Sequence, residues 1–337
     1  MLRIFLAFLL FLTTLQGDTV LKIASYNVDN LFDLKKDGNE YSEYIPNTKS
    51  RWNKRNYKIK LNHISRVIKD IDADIISLEE VESFQALKDL RQTLKQKGLY
   101  YKYYKIADKK DTTTKVAILS KIPFVYNKEV SVGYSYRYRN ILETKFKVNG
   151  TSFYIFTNHW KAKSGAESER IKSARVLLRR VKQIGFSKNI ILVGDFNSDY
   201  QEYIKFKKER RLNNTNGYTG INHVLNTVKQ TQKASSTKPT KNAFYNLWYD
   251  ADEKDRYTYI FRGKKEALDN ILISQPLLDK NNSMHYIHNS IKNLNKNYLF
   301  YKHKYINRWY ISKGRVKVHK GKGYSDHLPV MAKFLVK

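Results

Sequence analysis

Residues 189–199 read NIILVGDFNSD. Asn189–Val193 is a short aliphatic run that predicts a buried strand, and Gly194 ends it. Asp195 and Asn197 follow at once. A strand that finishes in a polar residue holds that group at the sheet edge on a stiff support. The same arrangement recurs along the chain. Asn27 sits near the end of a strand-like run at Leu21–Val28, Asp29 follows it, and Glu80 follows DIISL at 74–78. His159 follows Phe153–Phe156. Asp269 precedes Ile271–Ile273, and Asp326 and His327 precede Leu328–Val336. These residues offer oxygens and imidazoles only. That inventory suits a hard divalent cation, Mg²⁺ or else Mn²⁺ or Ca²⁺, and it suits phosphoester cleavage.

Between these runs the pattern predicts further elements. Helical spacing appears in Arg51–Ile71, in Ser83–Lys97 with Ser83 as cap, and in Glu167–Ile184. Tyr100–Ile106, Val116–Leu119, Glu129–Tyr134 and Ala267–Ser274 read as strands. Ile141–Val148 and Ser152–Thr157 flank Asn149-Gly150, a strong hairpin signal because both positions tolerate positive φ. Many strands with intermittent helices predict a layered α/β fold with a largely β core. Leu212–Lys241, rich in Asn, Thr, Ser and Lys, reads as a surface loop or insertion.

The 337 residues carry 63 Lys and Arg against 31 Asp and Glu, a formal charge of +32, with 41% hydrophobic residues. Such a chain can build a core and favours polyanionic partners such as nucleic acid, phosphorylated lipids or an anionic membrane surface. The absence of cysteine excludes disulfides, thiolate zinc sites and a Cys nucleophile. Met1–Leu2–Arg3, the apolar run Ile4–Leu12 and a polar exit ending near Gly17 read as a signal peptide over 1–17. The apolar run is far below the roughly 20 residues of a bilayer span. The expectation is a secreted or periplasmic bacterial protein, monomeric and without a membrane span once processed. Residues 18–337 are expected to form a single domain with a basic insertion at about 280–325. Lys280–Ser325 holds no Asp or Glu, but interleaves Lys302, Lys304 and Arg308 with Tyr298, Phe300, Tyr301, Tyr305, Trp309 and Tyr310. Cations neutralise phosphates and aromatic faces stack on unpaired bases.

SYNVDNLF (25–32), ISLEEVES (76–83), VAILSKIPF (116–124), RNILETKF (139–146), TNHWKAKSG (157–165), LVGDFNSD (192–199), LDNILIS (268–274) and YSDHLPV (324–330) appear in this order. In these stretches the chain resembles the endonuclease/exonuclease/phosphatase superfamily, in its DNase I-like, bacterial secreted nuclease branch. The resemblance implies a four-layered α/β sandwich, two packed β-sheets flanked by helices. It implies Glu80 as principal metal ligand, with Asn27, Asp29 and Asp326 on the metal side. Asp195 would position or deprotonate the attacking water, Asn197 would orient the phosphate, and Asp269 would fix the tautomer and charge of His327. His159 matches the second catalytic histidine of the DNase I-like and sphingomyelinase-like branches, and Arg139 an arginine that contacts substrate backbone. Two departures stand out. Glu79 occupies a position that is commonly Gln. No Glu precedes the VAILS strand to orient His159, which leaves Asp108, Asp111 and Glu143 as alternatives.

The expected function is a secreted metal-dependent endonuclease acting on DNA, or RNA, with little sequence specificity. Lys161 and Lys163 would join Arg139, Lys302, Lys304 and Arg308 in phosphate binding. The alternative is a sphingomyelinase-like or inositol-phosphate phosphodiesterase or phosphatase, for which Tyr298–Tyr310 would serve as the membrane-docking element. A non-enzymatic binding protein is disfavoured by the near-complete polar set.

Overall fold

The computed structural model describes residues 17–206, 212–227, 234 and 241–337, and the signal-peptide stretch lies outside them except for Gly17. Its strands, in chain order, begin with β1 (Thr19–Leu31), β2 (Ile75–Val81), β3 (Tyr103–Ile106), β4 (Lys115–Ser120) and β5 (Phe124–Val130). Next come β6 (Ile141–Val148), β7 (Thr151–His159), β8 (Asn189–Asp195) and β9 (Phe244–Asn246). They are followed by β10 (Tyr259–Phe261), β11 (Lys264–Glu266), β12 (Asp269–Ser274), β13 (Met284–Tyr286) and β14 (Lys292–Asn293). Two short hairpins, β15 (Phe300–Tyr301) with β16 (Tyr305–Ile306) and β17 (Ile311–Ser312) with β18 (Val318–His319), precede β19 (Val330–Val336). The main helices are α1 (Lys54–Ile71), α2 (Phe84–Gln96) and α3 (Glu167–Ile184).

One sheet runs β13-β19-β1-β2-β4-β3, with β14 also on β19, and the other β5-β6-β7-β8-β12-β9. Among the described strands, only β1–β2 and β7–β8 pair in parallel. Each of these pairs is joined through a helix, α1 or α3, because parallel neighbours need a long crossover. Both crossovers return the chain in the same direction. The C-terminal ends of all four strands therefore carry the polar residues that follow them.

Three apolar layers separate four layers of structure. Ile23, Ile75, Ile118, Ile155, Val193 and Ile271 fill the space between the sheets. Ile64, Ile68, Leu87 and Leu90 pack α1 and α2 onto Tyr26, Ile76 and Leu78. Leu177 and Val181 pack α3 onto Phe156, Ile190 and Leu192. The expected sandwich is thus present. The helix boundaries follow their caps: Asn53 and Ser83 each accept from a backbone N–H in the first turn, and Asp72 closes α1 in the left-handed conformation. The 149–150 hairpin turn has φ of +47° and +77°, as the sequence predicted.

Gly194 is the tightest point of the second sheet. It lies opposite Asn158 with φ of +137°, and a Cβ there would sit 2.0 Å from the Asn158 carbonyl oxygen. No side chain can yield, since the obstacle is backbone. Gly194→Ala is therefore expected to cost roughly 3 kcal/mol or more, read from the denaturant midpoint. A change below about 0.5 kcal/mol would contradict this packing.

Two expectations require correction. The strand placed at Glu129–Tyr134 lies at Phe124–Val130, because its partner β6 begins at Ile141, opposite Val130, and offers no ladder beyond it. Leu212–Lys241 is not wholly a surface loop. Gly220–Val224 forms a buried helical turn against α3, with the Gly220 N–H donating to Glu167 Oε1 at 2.8 Å; residues 228–233 and 235–240 lie outside the described residues. The basic segment Lys280–Ser325 is tied into the fold. β13 and β14 join the first sheet, while Leu294, Leu299, Trp309 and Tyr324 enter the core beneath α1. No helix among the described residues is long and apolar enough to cross a membrane.

The insertion is anchored by a buried histidine. Trp309 Nε1 donates to His319 Nδ1 at 2.8 Å, so Nε2 carries the proton and faces the Glu43 carbonyl at 2.8 Å. Burial pushes the His319 pKa down to about 4, against a weaker opposing pull from the Glu43 carbonyl. A histidine depressed on folding stabilises the fold above its unfolded pKa, and that contribution is lost as pH falls. The thermal midpoint is expected to drop between about pH 6.5 and pH 4, and His319→Gln to flatten that slope. Parallel pH profiles for the two proteins would refute the assignment.

Candidate active site

The polar residues gather where β1, β2, β7 and β8 end. Backbone irregularity aims them. The β1–β2 register shifts between Asn27 and Leu31, and the β2–β4 register between Leu78 and Val81. Asp29, Asn30, Glu80 and Asn197 all have positive φ, between +48° and +65°. For non-glycine residues this conformation is strained and persists only where the surroundings impose it. Strand alternation would send Glu80 toward α1 with Ile76 and Leu78. The bulge turns it to the sheet edge instead.

At this edge the contacts close on one another. Asn27 Nδ2 donates to Asp195 Oδ2 at 3.1 Å and to Glu80 Oε1 at 3.3 Å. Asn197 donates from its backbone N–H to Asp195 Oδ1 at 2.8 Å and from Nδ2 to Asp195 Oδ2 at 3.3 Å. His159 Nε2 lies 3.5 Å from Asp195 Oδ2 and 3.9 Å from Glu80 Oε1. Asp269 stands directly across the ladder from Asp195, and its Oδ2 is 2.7 Å from His327 Nδ1. Ser325 ties the two sides together. Its hydroxyl donates to the Asn27 carbonyl at 2.6 Å and accepts from the His327 N–H at 3.0 Å. Tyr259 lies against the His327 ring at 4.9 Å between centroids.

Electrostatics divides the two imidazoles. Burial opposes a charge on His327, but Asp269 and Asp195 overcome it and hold its pKa well above the ordinary value. His159 goes the other way. Burial lowers it well below the ordinary value, with Arg139 and charged His327 adding to the effect. Asp195 is raised to about 7, by burial first; His327 opposes the rise and Asp269 adds to it. One edge therefore holds a cationic imidazole, a neutral imidazole and a carboxyl poised near neutrality. Groups pushed apart in this way are the usual mark of acid–base assignments.

The metal-side acids crowd together. Glu80 is raised by burial and then by Asp326, and Asp29 is raised to about 7 by burial and Asp326, with Lys60 opposing. Carboxyls so crowded fit a divalent cation, which would relieve their repulsion, and the donor set is all oxygen. Asp195, Asp269 and His327 also offer ligand atoms within 4.8 Å of one another. His327 Nδ1 is already engaged by Asp269, so that trio reads as an acid–base cluster, and Glu80, Asn27, Asp29 and Asp326 as the cation's holders. Among the latter, Asn27 Oδ1 already accepts from the Asp29 N–H at 3.0 Å, which makes it the least available.

The sequence-predicted phosphate contacts separate. Arg139 bonds the Thr114 carbonyl and hydroxyl at 3.1 and 3.2 Å and acts electrostatically on both Glu80 and His159, so it borders the site. Arg308 Nη2 lies 3.4 Å from Asp326 Oδ2. Lys302 and Lys304 stand on the β15–β16 turn beside Tyr301 and Tyr305. Lys161 is half-buried and folds back over Gly165. Lys163 is a correction: its ammonium is held by Glu266 at 2.7 Å and Glu202 at 3.1 Å, a structural ion pair that leaves no charge for a phosphate.

Glu79 neither faces solvent nor joins the metal acids. It points between the sheets, fully buried, and accepts from Ser25 Oγ at 2.8 Å. None of Asp108, Asp111 and Glu143 orients His159. Glu143 is taken by Arg180 and Tyr126, Asp108 faces Lys115, and no hydrogen bond or ion pair joins Asp111 to His159. His159 Nδ1 is buried without a hydrogen-bond partner.

Sequence reasoning missed Lys60. It is fully buried on α1, donates to the Asp29 carbonyl at 2.7 Å and the Tyr324 carbonyl at 3.4 Å, and so braces the strained turn at Asp29. Its signal was available: it lies three residues after Tyr57 and four before Ile64, on the apolar stripe of α1.

A family model described as endonuclease/exonuclease/phosphatase family matches residues 22–336. Comparison with curated proteins gave no match. Among solved structures, an endonuclease/exonuclease/phosphatase family protein from Bacteroides thetaiotaomicron is 17% identical, with a TM-score of 0.58, covering 95% of this chain and 99% of that one. TDP2 of D. rerio, complexed with a single-strand DNA product, is 16% identical at a TM-score of 0.57, covering 94% and 99%. A mannosyl-6-phosphatase of Bacteroides thetaiotaomicron is 17% identical at a TM-score of 0.56, covering 93% and 99%.

Proposed function

This chain belongs to the endonuclease/exonuclease/phosphatase family, and we propose that it is a divalent-metal-dependent phosphodiesterase that hydrolyses DNA with little sequence specificity. The observation that carries the reading is the edge where Asp195, charged His327 and neutral His159 converge beside Glu80. A divalent cation on the Glu80 side would neutralise the scissile phosphate and polarise it. Asp195 accepts a proton from the attacking water as the new O–P bond forms and the P–O bond to the leaving oxygen breaks, that oxygen departing with the electron pair and taking up a proton. Asn197, whose Nδ2 donates to the Trp160 carbonyl at 3.1 Å and to Asp195 Oδ2 at 3.3 Å, holds the Asp195 carboxyl and would orient the phosphate beside it. His327, kept cationic by Asp269, offers its free nitrogen to the charge that builds on the phosphoryl and leaving oxygens. His159 contributes a neutral hydrogen bond from Nε2. Arg139 and Arg308 flank the site as backbone contacts. Export to the periplasm or beyond through residues 1–17, and a monomeric state, complete the proposal.

The formal charge of +32 supports nucleic acid as the substrate, since phosphate contacts dominate affinity and carry no sequence information. A second reading, a phosphodiesterase of lipid head groups, would use the exposed tyrosines near Arg308 as its docking element. A panel of supercoiled plasmid, single-stranded DNA, RNA, sphingomyelin and inositol and sugar phosphates, with and without EDTA, separates the readings. Chelator-sensitive nicking of the plasmid is the expected result. An intact plasmid in Mg²⁺, Mn²⁺ and Ca²⁺ would overturn the proposal, and release of phosphocholine would favour the second reading.

A further inference from the structure

The insertion divides its aromatic residues between two tasks. Trp309 is 2% exposed and belongs to the core beneath α1, whereas Tyr301, Tyr305 and Tyr310 are 57%, 45% and 53% exposed. Packing against the body of the protein accounts for the first and not for the other three. Tyr301 and Tyr305 are cross-strand partners on β15 and β16, so their rings share one face of the hairpin. The turn that joins them carries Lys302 and His303 in the left-handed conformation, and the ammonium groups of Lys302 and Lys304 lie 5.6 and 5.5 Å from the neighbouring tyrosine rings.

Tyr301, Tyr305, Arg308, Tyr310 and Lys322 line a groove of about 540 Å³, and the turn bearing Lys302 and Lys304 joins the two strands that carry Tyr301 and Tyr305. The groove is continuous with the site at two points. Arg308 lines it and also lies 3.4 Å from Asp326. β10, whose Tyr259 packs on His327, runs beside β16. A second hollow, lined by Asp29, Arg308 and Tyr310, bridges the metal-side acids and the tyrosines.

We propose that this groove binds an unpaired nucleic-acid strand leading from the cleavage site, its bases stacked on Tyr301, Tyr305 and Tyr310 and its phosphates held by Lys302, Lys304 and Arg308. The inference rests on the phosphodiesterase reading and adds a preference for single-stranded character beside the scissile bond. Exposed aromatic faces serve bases that have left their stack; in a duplex those faces are already covered. The composition argues against a bilayer as occupant. Membrane-seated surfaces present Trp, Phe and Leu, whereas here Trp309 is buried, Phe300, Ile306 and Ile311 pack against the core, and the exposed rings lining the groove are tyrosines set among cations.

The test is fluorescence anisotropy of a labelled oligothymidylate and of a blunt duplex of equal length, in EDTA so that neither is cleaved. Tyr305→Ala/Tyr310→Ala is expected to weaken single-strand binding at least about tenfold and duplex binding less than about twofold. Tyr305→Phe/Tyr310→Phe, which keeps the rings, is expected to retain single-strand affinity; near-ultraviolet circular dichroism checks that both variants are folded. Equal losses on both nucleic acids, or no loss, would overturn the proposal. So would tyrosine-dependent binding to phosphatidylglycerol vesicles without a single-strand preference. Hydrolysis of bis(p-nitrophenyl) phosphate by the unsubstituted chain reads the underlying activity separately. Its failure would sink the phosphodiesterase reading, whereas intact hydrolysis without single-strand preference would sink this one alone.

Discussion

His327→Ala is expected to lower kcat by about 10²- to 10⁴-fold, the range of a positioned acid–base group. The argument is geometric first. His327 is held by a 2.7 Å bond to a fully buried carboxylate, and its backbone is tied through Ser325 to the strand that carries Asn27. A cation placed this way beside Asp195 is preorganised for developing negative charge and needs no rearrangement as the reaction proceeds. Asp269→Asn tests the same unit from the other side. It keeps the shape but removes the charge that sustains the imidazolium. The two substitutions should be strongly non-additive, because residues acting as one unit lose their joint effect once. If the double variant multiplied the two single losses, the pair would not be one device. His159→Ala, which removes the neutral partner, is expected to cost at least about 10²-fold, and near-normal turnover would remove His159 from the mechanism.

Glu80→Ala is expected to weaken divalent-cation binding at least about 100-fold, beyond the loss typical of residues that merely support a ligand. Glu80 Oε1 sits between Asn27 and His159, on a bulge that exists only to turn it outward. Its removal also relieves Asp326 and Asp29 of a like charge, so the variant should be at least as stable as the parent by denaturant titration. Loss of cation binding with intact or improved stability is the expected combination. Calorimetric titration with Mg²⁺ or Mn²⁺ reads it directly, independent of turnover. Unchanged cation affinity would move the metal away from Glu80, and unfolding would show that the bulge depends on its carboxylate.

Much of this site was legible before folding was considered. NIILV followed by Gly194, Asp195 and Asn197 announces a buried strand with a polar terminus, and the structure has that element over Asn189–Asp195. The runs ahead of Asn27, Glu80 and His159 announce the same. Glu129–Tyr134 misled because a half-exposed edge strand takes its limits from its partner, and β6 sets the end of β5 at Val130. Lys163 misled because a lysine in a polar loop looks free until Glu202 and Glu266 approach from 39 and 103 residues away.

The alternation of side chains, the spacing of helices and the punctuation of strand ends are local, so the chain alone determined a layered fold and the kinds of groups along its edge. Which groups meet is a matter of long-range closure. Only the folded molecule could place Asp269 opposite Asp195, bring Lys60 beneath Asp29, leave His159 Nδ1 without a partner and turn three tyrosines outward while Trp309 turned in. Charge, burial and strain at a site arise from neighbours that are distant in sequence, and no window along the chain contains them.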